Sequence, residues 1–361
     1  SGHLLRSAQY EDTQVCAICD VDSWRREHAL AAVKRIYRER FGKSYRGLKA
    51  YRDLRDLLQR DDIDAVFIAT GDRWHVPAGC LAVKAGKDVY CEKPETLTVR
   101  EGRQMVNVAR RYCRVFSGGS QRVWDDYNWF HKMIYAGRIG RVKEVWVNVG
   151  GPSGHCDLPA VPTPPDVDWD MWIGPAPMRP FHPNLIRGGF RPYRDYSGGG
   201  MTDWGCHGFG GALFACKLHT TGPVRILPPD GKEVKHLTFE FANGIRIYHG
   251  GGWGGILSFR GTRGELPPRD GSRPKAPDIY IPHYHGRGGI FGDFLACVRT
   301  REKPFRDIEI AHRTATLCHL GNIAYWLRRP IRWDPEKEEI IGDPEAARWL
   351  DRPKREPWSL S

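Results

Sequence analysis

Two short runs, Ala65-Val-Phe-Ile-Ala69 and Asp88-Val-Tyr-Cys91, constrain the fold of this chain more than any other feature. A strand that is apolar at successive positions has both faces covered, as the strands of a parallel sheet do. Helical patterns lie on either side of these runs, at 23–41, 52–59, 76–85 and 98–111, and further strand-like runs at 14–19 and 114–116 complete an alternation of strands and helices. Such alternation marks βαβ units, so the sequence predicts a Rossmann-like parallel sheet over residues 1–120. Ser23 and Thr98 are suitable N-caps, and Gly86 stands where a helix C′ glycine belongs.

The pattern changes after Ser120. A helix over 127–136 and a strand over 142–149 precede a Pro-, Trp- and Gly-rich stretch, 151–200, whose tryptophans and tyrosines need burial. A helix at 202–216 comes next, then strands at 224–227, 236–241, 245–250 and 255–259, read as an antiparallel meander with Asn243-Gly244 as a type I′ turn. Helices at 289–300 and 308–327 precede a Pro-rich, charged tail. The expected class is α/β, with a Rossmann-like domain over 1–120 and an α/β domain with a mainly antiparallel open sheet over 121–330. A tail, 331–361, packs on the body. The chain's 361 residues are enough for two cores.

The net charge is +12, but Lys and Arg are scattered and no nucleic-acid module is recognisable, which argues for attraction of an anionic substrate or surface instead. No apolar run is long enough to span a bilayer. The 10 cysteines are dispersed. Cys16-Ala-Ile-Cys19 is formally a redox spacing, but it lies in a strand-like run, where residues three apart point to opposite faces. This usage suits a reducing compartment and predicts a cytoplasmic protein, with export the alternative if a leader lies upstream.

The chemistry concentrates in a few places. Lys93, in Glu92-Lys93-Pro94, ends an apolar run where a parallel strand delivers a side chain to the cleft. An apolar neighbourhood would lower its pKa and suit it to proton transfer; a surface ion pair with Glu92 or Glu95 is the plainer reading. Asp203 and His207 stand four apart behind three glycines, a spacing that shares one helix face and lets a carboxylate orient an imidazole. Asp20 ends the first strand, where a carboxylate accepts from adenosine ribose hydroxyls and disfavours a ribose phosphate; helix capping is the alternative. Thr70, Gly71 and His75 occupy a strand-to-helix turn suited to nucleotide contact, though His75 could simply open the helix. Trp172 and Tyr193, with Trp169, Phe181 and Tyr196, form either a sugar-stacking wall or a local core. Asp166, Asp168 and Asp170 read as solvated or turn-forming. His283-Tyr-His285 has no third ligand nearby, so no metal site is expected.

Together, the Glu92-Lys93-Pro94 run and the Asp203…His207 helix resemble the Gfo/Idh/MocA family, the glucose-fructose oxidoreductase and inositol dehydrogenase group. The stretches 168–175, 200–205 and 316–324 look like a subgroup abundant in planctomycete-type bacteria. The resemblance covers almost the whole chain. It implies a dinucleotide-binding Rossmann domain, a C-terminal domain whose open sheet often forms homo-oligomers, and catalytic roles for Lys93, Asp203 and His207. It further implies NAD rather than NADP, with Asp20, Thr70, Gly71, His75, Glu92 and Lys93 on the cofactor side and Arg122, Trp172 and Tyr193 on the substrate side. Two departures stand out. Family members open with a strand and a Gly-rich turn, whereas this chain starts Ser1-Gly-His3, as if cut just after it. Relatives also often carry aspartate where this chain has Gly210.

The leading expectation is therefore an NAD-dependent oxidoreductase of a sugar, cyclitol or related polyol. The alternatives are an NAD-assisted glycosidase, which oxidises its sugar only transiently, and a sugar-binding protein that lost the dinucleotide site. No nucleic acid or membrane partner is expected.

Overall fold

A computed structural model describes residues 12–42, 47–282, 284–285 and 288–358. The expected N-terminal departure falls on residues outside that set, as does His283.

The first third is built as the apolar runs predict. Strands β1 (Ala17–Cys19) and β2 (Lys49–Tyr51) pair in parallel, and β3 (Ala65–Ile68), β4 (Asp88–Cys91) and β5 (Phe116–Gly118) form a second parallel ladder. Among the described residues the two pieces share no ladder. Strand β4 is buried along its length, which is why its sequence does not alternate. Helices α1 (Ser23–Phe41), α2 (Leu54–Leu58), α3 (Asp72–Lys84) and α4 (Val99–Arg111) connect the strands. Asp22, not Ser23, caps α1 by accepting from the Arg25 amide at 3.0 Å; Ser23 is already helical. Thr98 caps α4 as expected, and Gly86 lies beyond α3 at φ +78°.

The remainder holds an eight-stranded sheet in the order β11-β10-β6-β9-β8-β7-β12-β13. Its strands are β6 (Val142–Val147), β7 (Arg225–Leu227), β8 (Leu237–Glu240), β9 (Arg246–His249), β10 (Leu257–Gly261), β11 (Glu265–Leu266), β12 (Ile331–Asp334) and β13 (Glu339–Ile340). The meander holds for β7, β8 and β9, but β10 does not pair with β9. Instead β6 lies between them, parallel to β9 and antiparallel to β10. The β8–β9 turn is not type I′ either, since only Gly244 has positive φ (+84°) and Asn243 does not. Asn243 Oδ1 accepts from the Ile245 amide, and the Gly244 amide donates to Phe241 O, the pattern of a type I turn closed by a left-handed glycine.

Short helices α5 (Arg122–Asp125) and α6 (Asn128–Tyr135) lead into β6, and α7 (Trp169–Ile173) interrupts the aromatic stretch. The predicted helix 202–216 is two pieces, α8 (Gly200–Asp203) and α9 (Gly205–Ala215), joined at Trp204. Helices α10 (Gly289–Thr300) and α11 (Ile308–Leu327) follow, and a short helix α12 (Pro344–Ala347) lies beyond β13. Helix α11 packs against both α9 and α4, tying the two halves together. With α9 it buries the inner face of the large sheet, including Val145, Phe239, Ile247 and Phe259. The tail adds β12 and β13 to the sheet edge, since Trp333 and Ile340 alternate inward.

Candidate active site

The loop after β4 carries Glu92, Lys93 and Glu95, and the Lys93–Pro94 peptide is cis. The Lys93 ammonium forms an ion pair with Asp203, with both side chains about one-sixth exposed. The lysine is therefore paired rather than isolated in apolar surroundings. Arg191 reaches the same carboxylate oxygen, its Nε 3.2 Å away. Asp203 thus holds two cations from distant segments.

His207 lies one helical turn past Asp203, with only 3% of its surface exposed, and its ring meets Trp204 edge-on at 6.0 Å between centroids. The three glycines before the helix let main chain approach main chain. Gly199 has φ +76°, and a Cβ on it would meet the Ser153 amide nitrogen at 2.6 Å; one on Gly200 would meet Gly150 Cα at 2.5 Å. This close fit anchors α8 to the end of β6 and fixes where Asp203 projects.

The turn after β3 braces the Lys93 loop. His75, 1% exposed, faces Pro94 O through Nδ1 at 2.7 Å and Thr70 O through Nε2 at 3.2 Å. Burial lowers its pKa, so the ring is neutral with a single N–H, which the shorter contact to Pro94 takes. Thr70 is exposed, and Gly71 precedes α3 without a side-chain cap. Next to it the Asp72 carboxyl is buried and held above the usual carboxylate range by desolvation. Glu92 is pushed up to about 7, chiefly by burial and then by Glu95, against the opposing effect of Lys93.

Asp20 ends β1 with one carboxylate oxygen on the Asp22 amide at 3.0 Å, and burial raises its pKa. A carboxylate so placed can accept from vicinal hydroxyls such as those of a ribose. The residues present after β1 and around Lys93 are chemically compatible with a dinucleotide.

The residues expected on the substrate side separate. Trp172 is part of a cage around Arg73, whose guanidinium lies 3.6 Å from the Trp172 ring centre and donates to Trp172 O and Ile173 O. Burial pushes that arginine down to about 9. Trp169 stacks on Trp172 at 4.6 Å, and Tyr193 and Tyr196 belong to the same cluster. This is a local core. Arg122 instead stands at the site, its guanidinium 4.9 Å from the Trp204 ring centre and paired with Asp126. The acidic trio is partly structural: Asp168 caps α7 and pairs with Arg52, and Asp170 pairs with Arg355. Among the described residues no three His, Cys, Asp or Glu side chains gather as metal ligands, all ten cysteines are free, and no helix is long and apolar enough to cross a membrane.

The description "Oxidoreductase family, NAD-binding Rossmann fold" matches residues 3–120, and "Oxidoreductase family, C-terminal alpha/beta domain" matches residues 143–360. The chain belongs to the Gfo/Idh/MocA oxidoreductase family. Its fold is similar to that of an NAD-binding protein from Listeria innocua (TM-score 0.63, 21% identity, covering 92% of this chain and 93% of that one). It is also similar to scyllo-inositol dehydrogenase from Lactobacillus casei, solved with NAD(H) and scyllo-inositol (TM-score 0.60, 15% identity, covering 91% and 94%). A glycosyl hydrolase family 109 protein from Shewanella pealeana is 33% identical over 111 residues. That stretch is 31% of this chain and only 24% of the relative's length.

Arg191 and Trp204 were not singled out by sequence. Arg191 lies in the irregular stretch, where no periodicity signals a role. Trp204 could have been noticed as the large residue between Asp203 and His207.

Proposed function

We propose that this protein is an NAD-dependent oxidoreductase acting on a hydroxyl of a sugar, cyclitol or related polyol. One observation carries the reading: Lys93 and Asp203, far apart in sequence, form an ion pair at the carboxyl end of a parallel strand, one helical turn from His207. That edge of an open α/β sheet is where ligands bind.

Asp20 would hold the adenosine ribose, and its charge favours NAD over NADP. Glu92, Thr70, Gly71 and His75 line or brace the nicotinamide side. Nicotinamide, when bound, supplies the hydride acceptor. The protein's own groups do the rest. His207 takes the hydroxyl proton as the carbon–hydrogen bond weakens, and the Lys93 ammonium stabilises the developing negative oxygen. Asp203 keeps the ammonium directed at that oxygen.

A second reading draws on the Shewanella relative: the same groups would serve a glycosidase that oxidises its sugar only transiently. Lys93→Ala tests both. We expect turnover to fall by about a hundredfold to a thousandfold, in line with loss of an oxyanion-stabilising donor, while calorimetry still shows NAD binding. Net NADH across a polyol panel supports the first reading. Cleavage of a chromogenic glycoside without net NADH supports the second. Undiminished activity in Lys93→Ala rejects this assignment of the site.

A further inference from the structure

We propose that Trp204, with Arg122 against its ring and Arg191 on the neighbouring Asp203, is a subsite for an anionic sugar, with the indole stacking on the sugar ring and the guanidiniums taking its carboxylate. The proposal rests on reading the surroundings of Lys93, Asp203 and His207 as the sugar site and narrows the substrate class.

Three observations carry it. The first is exposure. Residues 205–215 are buried throughout, as are Met201 and Thr202, yet Trp204 is 40% exposed. A large indole left open to water at the joint between α8 and α9 forgoes the burial that the rest of the segment achieves. The second is position. Trp204 directly follows Asp203 and lies edge-on to His207 at 6.0 Å, so a ring resting on it would present a hydroxyl to the proton-transfer groups. The apolar C–H face of a sugar ring suits an aromatic face.

The third is charge. Arg122 sits 4.9 Å from the indole centre and Arg191 binds Asp203 at 3.2 Å, with both side chains roughly half exposed. Each guanidinium is only partly used. Arg191 spends Nε on Asp203 and Nη1 on Gly188 O at 3.0 Å, and its guanidinium lies 5.2 Å from the Phe190 ring centre. Arg122 spends Nη1 on Asp126. Lys93, Arg122 and Arg191 face the carboxylates of Asp126 and Asp203, and the further carboxyls there, Glu92 near Lys93 and Asp72 near Arg191, are held above the ordinary carboxylate range by burial. A carboxylate offers a guanidinium fork a matching pair of oxygens, which a neutral polyol lacks.

The test is calorimetric titration of the whole chain, with saturating NAD and without it. D-glucuronate and D-galacturonate are compared with D-glucose and D-galactose. We expect the acids to bind at least tenfold more tightly than the parent sugars. Arg191→Gln and Arg122→Gln should each reduce that ratio. Trp204→Ala should weaken binding of the acids about tenfold, within the range of a stacked aromatic contact, and Trp204→Phe should restore most of it. Equal binding of acid and neutral sugars, binding of neither, or an unchanged Trp204→Ala overturns the proposal. A protein that reduces NAD with a neutral polyol while ignoring the acids refutes this inference and leaves the oxidoreductase reading standing. Acids bound at Trp204 without any hydride transfer refute the oxidoreductase reading alone.

Discussion

Replacing Glu92 by glutamine isolates the cost of keeping a carboxylate beneath the Lys93 loop. Burial lifts this group from 4.5 to about 7, so the folded protein holds its proton more tightly than the unfolded chain does. Stability contributed by the protonated form is complete below the unfolded value and is lost as pH rises toward and through the folded one. At about 1.4 kcal/mol per unit, the full rise corresponds to about 3 kcal/mol. Glu92 is only half-buried, so about 2 kcal/mol is the fair expectation between pH 5 and 8 after allowing for solvent screening. Glutamine cannot ionise. The stability of Glu92→Gln relative to the parent should therefore climb by about that amount from pH 5 to pH 8, whatever constant offset the substitution brings. Urea unfolding followed by tryptophan fluorescence at four pH values measures the slope. A difference that stays flat across the range would refute the reasoning.

Two further expectations concern the frame around the site. Thr98 Oγ1 accepts from the Glu101 amide at 3.2 Å and contacts Asp351 at 3.2 Å; Thr98→Ala should cost about 1 kcal/mol and Thr98→Ser much less, measured by urea midpoints. Glu338 is buried at φ +55° and accepts from Arg103 at 2.8 Å and His312 at 2.8 Å. Its pKa is lowered, so its contribution is present above the ordinary carboxylate range and fades in acid. Glu338→Ala should cost about 3 kcal/mol near neutrality, and Glu338→Gly about 1 kcal/mol less, since glycine relieves the left-handed backbone. Equal losses for Ala and Gly would remove the backbone argument.

Much of this architecture is legible in the residues themselves. Strand β4 and helices α1 and α11 span the residues the sequence assigns them, β4 because it is an unbroken apolar run and the helices because they are long, although Asp22 rather than Ser23 caps α1. Strand β2 escapes, since Lys-Ala-Tyr is too short and too exposed to carry a pattern. The insertion of β6 between β9 and β10 escapes too, because strand partners are chosen by packing far along the chain and not by local propensity. The break at Trp204 has no Pro to announce it. Within the site, Lys93 and Asp203 are readable from motif and spacing. Their convergence with Arg191 depends on how an aperiodic loop folds back, which no residue pattern encodes.

The position of β12 has a consequence for synthesis. Ile331 pairs with Ile226, so the edge of β7 stays bare until more than a hundred further residues have left the ribosome. An unpaired edge of this kind invites association with other nascent chains. Shortening the C-terminus before Ile331 would make that transient exposure permanent, and soluble yield would be the first quantity to suffer.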